Sequence, residues 1–236
     1  NIWYSLILVN RIILALDTLN LDEAINLTKK IKDRIFTIKL GLEFFNAHGK
    51  VGIKKFNQIG VKNLMLDIKL KDIPETVYKA VKALNDIEFG FLTIHGQGGK
   101  ELIESAKKAA DEIKSKPKLM MVTILTSLSD DDLKDMGNQN TVIEQVEKLA
   151  KVAKEKEVGV VCSGHEAKIV RKIIGPDLLI FTPGIRMRED TKNDQKRVCT
   201  PLESIKNGAN KIIMGRSLIK GNIEENLDKV SNSLKE

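Results

Sequence analysis

Leu64-Met65-Leu66-Asp67-Ile68-Lys69-Leu70-Lys71-Asp72-Ile73-Pro74-Glu75-Thr76 decides how the rest of the chain is read. It begins as an aliphatic run over 64–68, apolar on both faces as a covered parallel strand must be. It then turns through Asp72-Ile73-Pro74 into an amphipathic helical pattern over 75–84. Strand, short loop and helix follow one another between 64 and 84, with charge gathered at the strand's C-terminal end.

The same unit recurs in both directions. Strand patterns fall at 12–16, 36–40, 64–68, 91–94, 120–125, 159–162, 178–181 and 211–214. Helical patterns fall between them at 21–31, 75–84, 101–113, 142–154, 166–173 and 225–234. Thr200-Pro201-Leu202-Glu203 adds a capping box with proline at the first helical position, which starts a short helix between the last two strands. Eight units at about 29 residues each predict an α/β fold of one domain, a TIM (β/α)8 barrel. The rival, a doubly wound open sheet, normally has fewer strands. Neither a dinucleotide fingerprint after the first strand nor a Walker-type phosphate loop is present.

In such a barrel chemistry sits where the strands end. Asp17 ends the first strand, Lys39 lies on the second, and Asp67, Lys69 and Asp72 end the third. His95 ends the fourth, Thr126-Ser127 the fifth and Ser163 the sixth, while the seventh opens into Thr182-Pro183-Gly184-Ile185-Arg186 and the eighth into Gly215-Arg216. Asp67 and Lys69 are two apart, so a strand points both to one face, the barrel interior if Ile68 and Leu70 pack outward. Burying that pair needs further partners, which Asp17 and Lys39 on neighbouring strands supply. The glycine-bearing loops with Arg186 and Arg216 suit a phosphate, through backbone amides and bidentate guanidinium contacts. The polar stretch 187–199, with Gln195, reads either as a connector or as a lid closing over that phosphate. His95 is open between a core histidine and a ligand contact. His48 and His165 read as surface or packing residues.

Composition narrows the function classes. Lys+Arg 39 against Asp+Glu 32 gives +7, yet the lysines interleave with acids, as in 29–33 and 151–157, which marks solvated helix faces. With 4% aromatic residues and no RNA-binding signature, an anionic small substrate explains the excess better than nucleic acid. No run approaches the ~18 apolar residues of a membrane span. Cys162 and Cys199 are the only cysteines, which predicts free thiols in a reducing, cytoplasmic setting without a zinc site. Residues 1–10 are apolar but lack the parts of a secretory signal, and are expected to form an extension packed on the surface, with the barrel over 11–236.

Taken together, Ala15-Leu16-Asp17, Lys39-Leu40-Gly41, Asp67-x-Lys69-x-x-Asp72-Ile73-Pro74-x-Thr76, Leu125-Thr126-Ser127, Thr182-Pro183-Gly184-Ile185-Arg186, Asp194-Gln195 and Gly215-Arg216 resemble the orotidine 5′-phosphate decarboxylase family. The motifs keep the family's order and span residues 15 to 216. The resemblance implies a homodimer converting orotidine 5′-monophosphate to UMP and carbon dioxide without metal or organic cofactor. By motif, Lys69 would donate the proton to C6, Asp67 would face the departing carboxylate, Lys39 would complete the charged row and touch the ribose, and Asp17 would bind a ribose hydroxyl. Asp72, Ile73 and Thr76 would reach the partner subunit's site. Thr126 and Ser127 would address the pyrimidine, and Arg186, Gln195, Gly215 and Arg216 the phosphate. The chain departs from the family at Lys71, Glu75, Met187 and Ser217, where His, Asn, Pro and Pro are usual. None of these removes a required group. A metal-dependent sugar-phosphate lyase of the same barrel type, with Asp17 and Asp67 on magnesium, is the rival enzyme. A basic RNA-binding or scaffolding protein is the rival outside enzymes.

Overall fold

The computed structural model describes residues 10–187 and 199–235. Its elements run β1 (Ile12–Leu16), α1 (Leu21–Ile31), β2 (Thr37–Gly41), α2 (Leu42–Gln58), β3 (Met65–Leu70), α3 (Pro74–Lys82), β4 (Phe91–His95), α4 (Lys100–Glu112), β5 (Lys118–Val122), α5 (Asp130–Asp135), α6 (Val142–Lys156), β6 (Gly159–Val161), α7 (Ala167–Ile174), β7 (Ile180–Thr182), α8 (Pro201–Lys206), β8 (Lys211–Met214), α9 (Arg216–Ile219) and α10 (Ile223–Ser233). The eight strands pair in parallel and in sequence order, and β1 closes on β8 through Ile12↔Ile212 to Leu14↔Met214. The expected TIM barrel is the fold.

Alternation along the strands builds two cores. Outward residues such as Leu14, Leu40, Leu66 and Leu92 pack against the helices. Inward residues Ile13, Ala15, Met65, Phe91, Met120, Val122, Val161, Phe181 and Ile213 fill the barrel. At its base Phe181 packs edge to face on Phe36 and Phe91, which are tilted against each other, with ring centroids 5.1–6.3 Å apart. The interior is a packed apolar plug below the mouth.

Side-chain caps set the helix starts. Asn20 accepts the Glu23 N–H at α1, and Thr141–Glu144 and Thr200–Glu203 form reciprocal boxes at α6 and α8, the latter with Pro201 first in the helix as expected.

Several boundaries differ from the sequence reading. β5 ends at Val122 rather than 125, and β7 begins at Ile180 rather than 178. Three helices had no counterpart in that reading: α2, α5 and the four-residue α9. α2 is broken at Gly49, whose φ is 53°, so no unbroken apolar stripe marks it. α5 is one short turn under a Ser129–Asp132 capping box. Ser163, read as the end of the sixth strand, lies past β6 and is fully buried: its hydroxyl accepts the Glu166 N–H and its own N–H donates to Glu166 in the turn before α7. Residues 1–9 of the expected extension and 188–198 of the expected lid, Gln195 included, lie outside the described residues. Among the described residues no helix is long and apolar enough to cross a membrane.

Candidate active site

The mouth is organised around one carboxylate. Asp67 sits on β3 with its side chain 10% exposed, and each oxygen takes an ammonium: Oδ2 lies 2.8 Å from Lys39 Nζ on β2, and Oδ1 lies 2.9 Å from Lys69 Nζ. Lys39 is buried nearly as deeply, at 12%, whereas Lys69 keeps 30% of its side chain open towards the cavity. Asp17, just past β1, closes the other end of the row. A Cβ on Gly41 would stand 3.4 Å from both Asp17 Oδ1 and Lys39 Nζ, so glycine keeps the space between these two groups open.

Burial works against every charge here, and the row overrides it. Desolvation alone would push the Lys39 ammonium down, but the carboxylates of Asp67 and Asp17 and the hydrogen bond to Asp67 hold its pKa above the ordinary lysine value. Burial would likewise raise Asp67, yet the charges of Lys39 and Lys69 and their hydrogen bonds bring it down from 3.8 to about 2. Lys39 and Asp67 therefore stay ionised at neutral pH, in a site partly shielded from water.

Lys69 reaches Asp67 by an unexpected route. A regular strand would have placed the two side by side, but β3 takes four steps from Leu66 to Leu70 where β4 takes two from Leu92 to Ile94. Within this bulge Lys69 adopts φ 45°, a left-handed conformation that costs a non-glycine residue about 1–3 kcal/mol. Its N–H donates to Thr93 Oγ1 at 2.9 Å, and the Thr93 hydroxyl lies 3.0 Å from Asp67 Oδ1. Thr93 escapes the sequence reading because a threonine in a β-branched run looks like ordinary strand. The one signal is its inward parity, shared with Phe91 and His95.

His95 ends the same inward row. Its Nδ1 is buried without a hydrogen-bond partner among the described residues, and burial, then the charges of Lys71 and Lys69, lower its pKa. It stays neutral at the mouth, and the unusual Lys71 is one cause.

A cavity of about 250 Å³ opens onto the row, lined by Lys39, Asp67, Lys69, Thr126, Ser127 and Pro183 among others. Arg186 is buried on the loop after β7, where Ile185 bridges to Cys199, and Gly215 precedes α9, whose first residue is the exposed Arg216. Thus Asp17, Lys39, Asp67, Lys69, Thr126, Ser127, Arg186, Gly215 and Arg216 all belong to loops or strand ends at one mouth. Asp72, Ile73 and Thr76 stand apart: all are exposed at the start of α3, and Asp72 accepts the Ile73 N–H at 2.7 Å. A larger crevice of about 750 Å³ lies outside the base between Lys54, Asp86, Glu88 and Lys114, but its acids are paired with Lys50, Lys54 and Lys62, and it gathers no catalytic set. Nor do the described residues bring three metal-ligating side chains together, since both Asp67 oxygens already hold lysines where a magnesium reading needs them open.

Comparison with known proteins agrees with this fold. A crystal structure of orotidine 5′-phosphate decarboxylase from Lactobacillus acidophilus superposes with a TM-score of 0.81 at 33% identity, covering 96% of this chain and all of that one. The orotidine 5′-phosphate decarboxylase of Ehrlichia canis is 44% identical over 211 residues, 89% of this chain and 90% of its own, and that of Wolbachia from Brugia malayi is 43% identical over 219 residues, 92% and 96%. The model of the orotidine 5′-phosphate decarboxylase / HUMPS family matches residues 10–228, from the edge of β1 into α10. With every strand of the barrel inside that match, the chain belongs to the orotidine 5′-phosphate decarboxylase / HUMPS family.

Proposed function

We propose that the mouth of this barrel binds orotidine 5′-monophosphate and releases UMP and carbon dioxide, with the chain acting as a homodimer. The Lys39–Asp67–Lys69 row carries the reading. When the C6–carboxylate bond breaks, carbon dioxide departs and the electron pair stays on C6 in an in-plane orbital that the ring cannot delocalise. Stabilisation must come from outside the ring. At about 4 Å one ammonium contributes roughly 4 kcal/mol at an effective dielectric near 20, against about 1 in water. Lys69, the more open of the two lysines, faces C6, meets the developing charge and transfers its proton there. Because Asp67 holds it in place beforehand, little reorganisation accompanies the reaction.

Around that centre, Asp17 and Lys39 bind ribose hydroxyls, Thr126 and Ser127 address the pyrimidine, and Arg186, Gln195, Gly215 and Arg216 hold the phosphate. Binding energy from the phosphate, remote from the reacting bond, is available to raise turnover as well as affinity. Asp72, Ile73 and Thr76 serve the partner's site. The exposure of Ile73, at 66%, supports a surface that a second copy covers. The buried thiols of Cys162 and Cys199, neither of them in a disulfide, fit a reducing cytoplasm.

Ultraviolet absorbance of orotidine 5′-monophosphate, followed with EDTA present, tests the reading. The wild type consumes the substrate and Lys69→Ala does not. Wild-type inactivity under these conditions would falsify the assignment. Ile73→Asp tests the dimer: it shifts the sedimenting species to monomer and lowers turnover, and an active Ile73→Asp monomer refutes a shared site.

A further inference from the structure

We infer that Thr93 is a positioning residue for the decarboxylation, acting through Lys69 and Asp67; the inference rests on the roles proposed for those two groups. Its hydroxyl is fully buried and touches both ends of the segment that carries them. It accepts the Lys69 N–H at 2.9 Å, replacing the ladder partner that the bulge between Leu66 and Leu70 takes away. It donates to Asp67 Oδ1 at 3.0 Å, the same oxygen that receives the Lys69 ammonium. One hydroxyl thereby fixes the left-handed backbone of Lys69 and the rotamer of the carboxylate that holds its side chain. Without it, Lys69 relaxes towards an ordinary extended strand, and its ammonium swings away from the position the reaction requires. Thr93 touches no substrate; it fixes where the ammonium stands.

The contrast with Thr28 shows what a structural threonine looks like. Thr28 is equally buried, but its hydroxyl donates only to the Ala24 carbonyl of its own helix. Thr93→Val keeps shape and volume while removing both hydrogen bonds at Lys69 and Asp67, and Thr93→Ser restores the hydroxyl. The expected result is a kcat lowered about 10–100-fold in Thr93→Val, the size of effect that a misplacement of about 1 Å produces, with KM changed less than about threefold. Thr93→Ser returns to within about threefold of wild type, and Thr28→Val keeps wild-type kcat. Lys69→Ala is assayed in parallel. If Lys69→Ala runs at the wild-type rate, the role given to Lys69 falls and the inference goes with it. If Lys69→Ala is inactive while Thr93→Val turns over normally, Thr93→Ser fails to rescue, or only KM moves, the inference alone is overturned.

Discussion

Two partly buried lysines stand at opposite ends of one barrel, and their surroundings separate what each end is for. Lys39 at the mouth has its pKa held up, because Asp67 and Asp17 outweigh burial. Lys211 opens β8 at the base, over the ring of Phe36 at 3.8 Å, and burial followed by the neighbouring charge of Arg11 brings it down to about 8. Desolvation acts on both in the same direction. What differs is the company: two carboxylates stand beside one, and an aromatic ring and another cation beside the other. The mouth is built to keep charge and the base to keep apolar packing, the division expected when a barrel's chemistry sits at the C-terminal ends of its strands.

The comparison predicts that charge removal is ruinous at one end and harmless at the other. Lys69→Ala lowers kcat by about 10,000-fold, combining loss of the proton donor with loss of a fixed cation. Lys211→Ala leaves kcat within about twofold. Steady-state rates on the two variants decide it, and equal losses would erase the distinction. For packing the order reverses. Phe181 is fully buried in the base cluster with Phe91 5.1 Å away, so Phe181→Ala costs about 3–5 kcal/mol of unfolding free energy. Denaturant titration of Phe181→Ala beside Lys69→Ala measures this, and the comparison fails if the mouth variant proves the less stable of the two.

Much of this division was legible in the sequence. Runs apolar on both faces gave eight strands in order, and the polar residues ending them gave the mouth. Asp67 and Lys69 do share a face, although the period-two argument reached that answer without the bulge on which it depends. Nothing in Asp67-Ile68-Lys69-Leu70 announces a left-handed residue, since neither Gly nor Asn stands there. Thr93 was hidden for a related reason: its importance comes from the register of β4 against β3, a relation between strands that no local pattern carries. Ser163 shows the same limit, since its hydroxyl is engaged by the Glu166 N–H in the turn after β6, a pairing that no strand pattern displays.

Acid sharpens the mouth half of the contrast. Asp67 titrates at 3.8 when unfolded and at about 2 in the folded protein, so the folded state binds its proton less readily. Its stabilisation is fully present above pH ~4, amounts to about 2 kcal/mol, and is lost as pH falls through about 2. Between pH 5 and pH 2 the wild type therefore loses about 2 kcal/mol more unfolding free energy than Asp67→Asn. Parallel curves for the two proteins would mean that the lysines do not depress this carboxyl.

Lys211 gives the smallest effect and the opposite sign. Its folded pKa of about 8 lies below the 10.5 of the unfolded chain, so below pH 8 it is charged in both states and the folded protein carries a charge held beside Arg11. From pH 8 to 10.5 the folded protein releases the proton while the unfolded chain keeps it, and unfolding free energy climbs with pH. The ring of Phe36 returns part of that cost through a cation–π contact, as does the Asn10 carbonyl, which accepts from Nζ. Water at a partly exposed site screens more of it, leaving about 1 kcal/mol. Lys211→Met should gain about that much at pH 7 and flatten the rise between pH 8 and 10.5, with kcat unchanged. A loss of stability at pH 7 would show that Phe36 and Asn10 more than compensate this cation, and the base would then share the mouth's tolerance for buried charge.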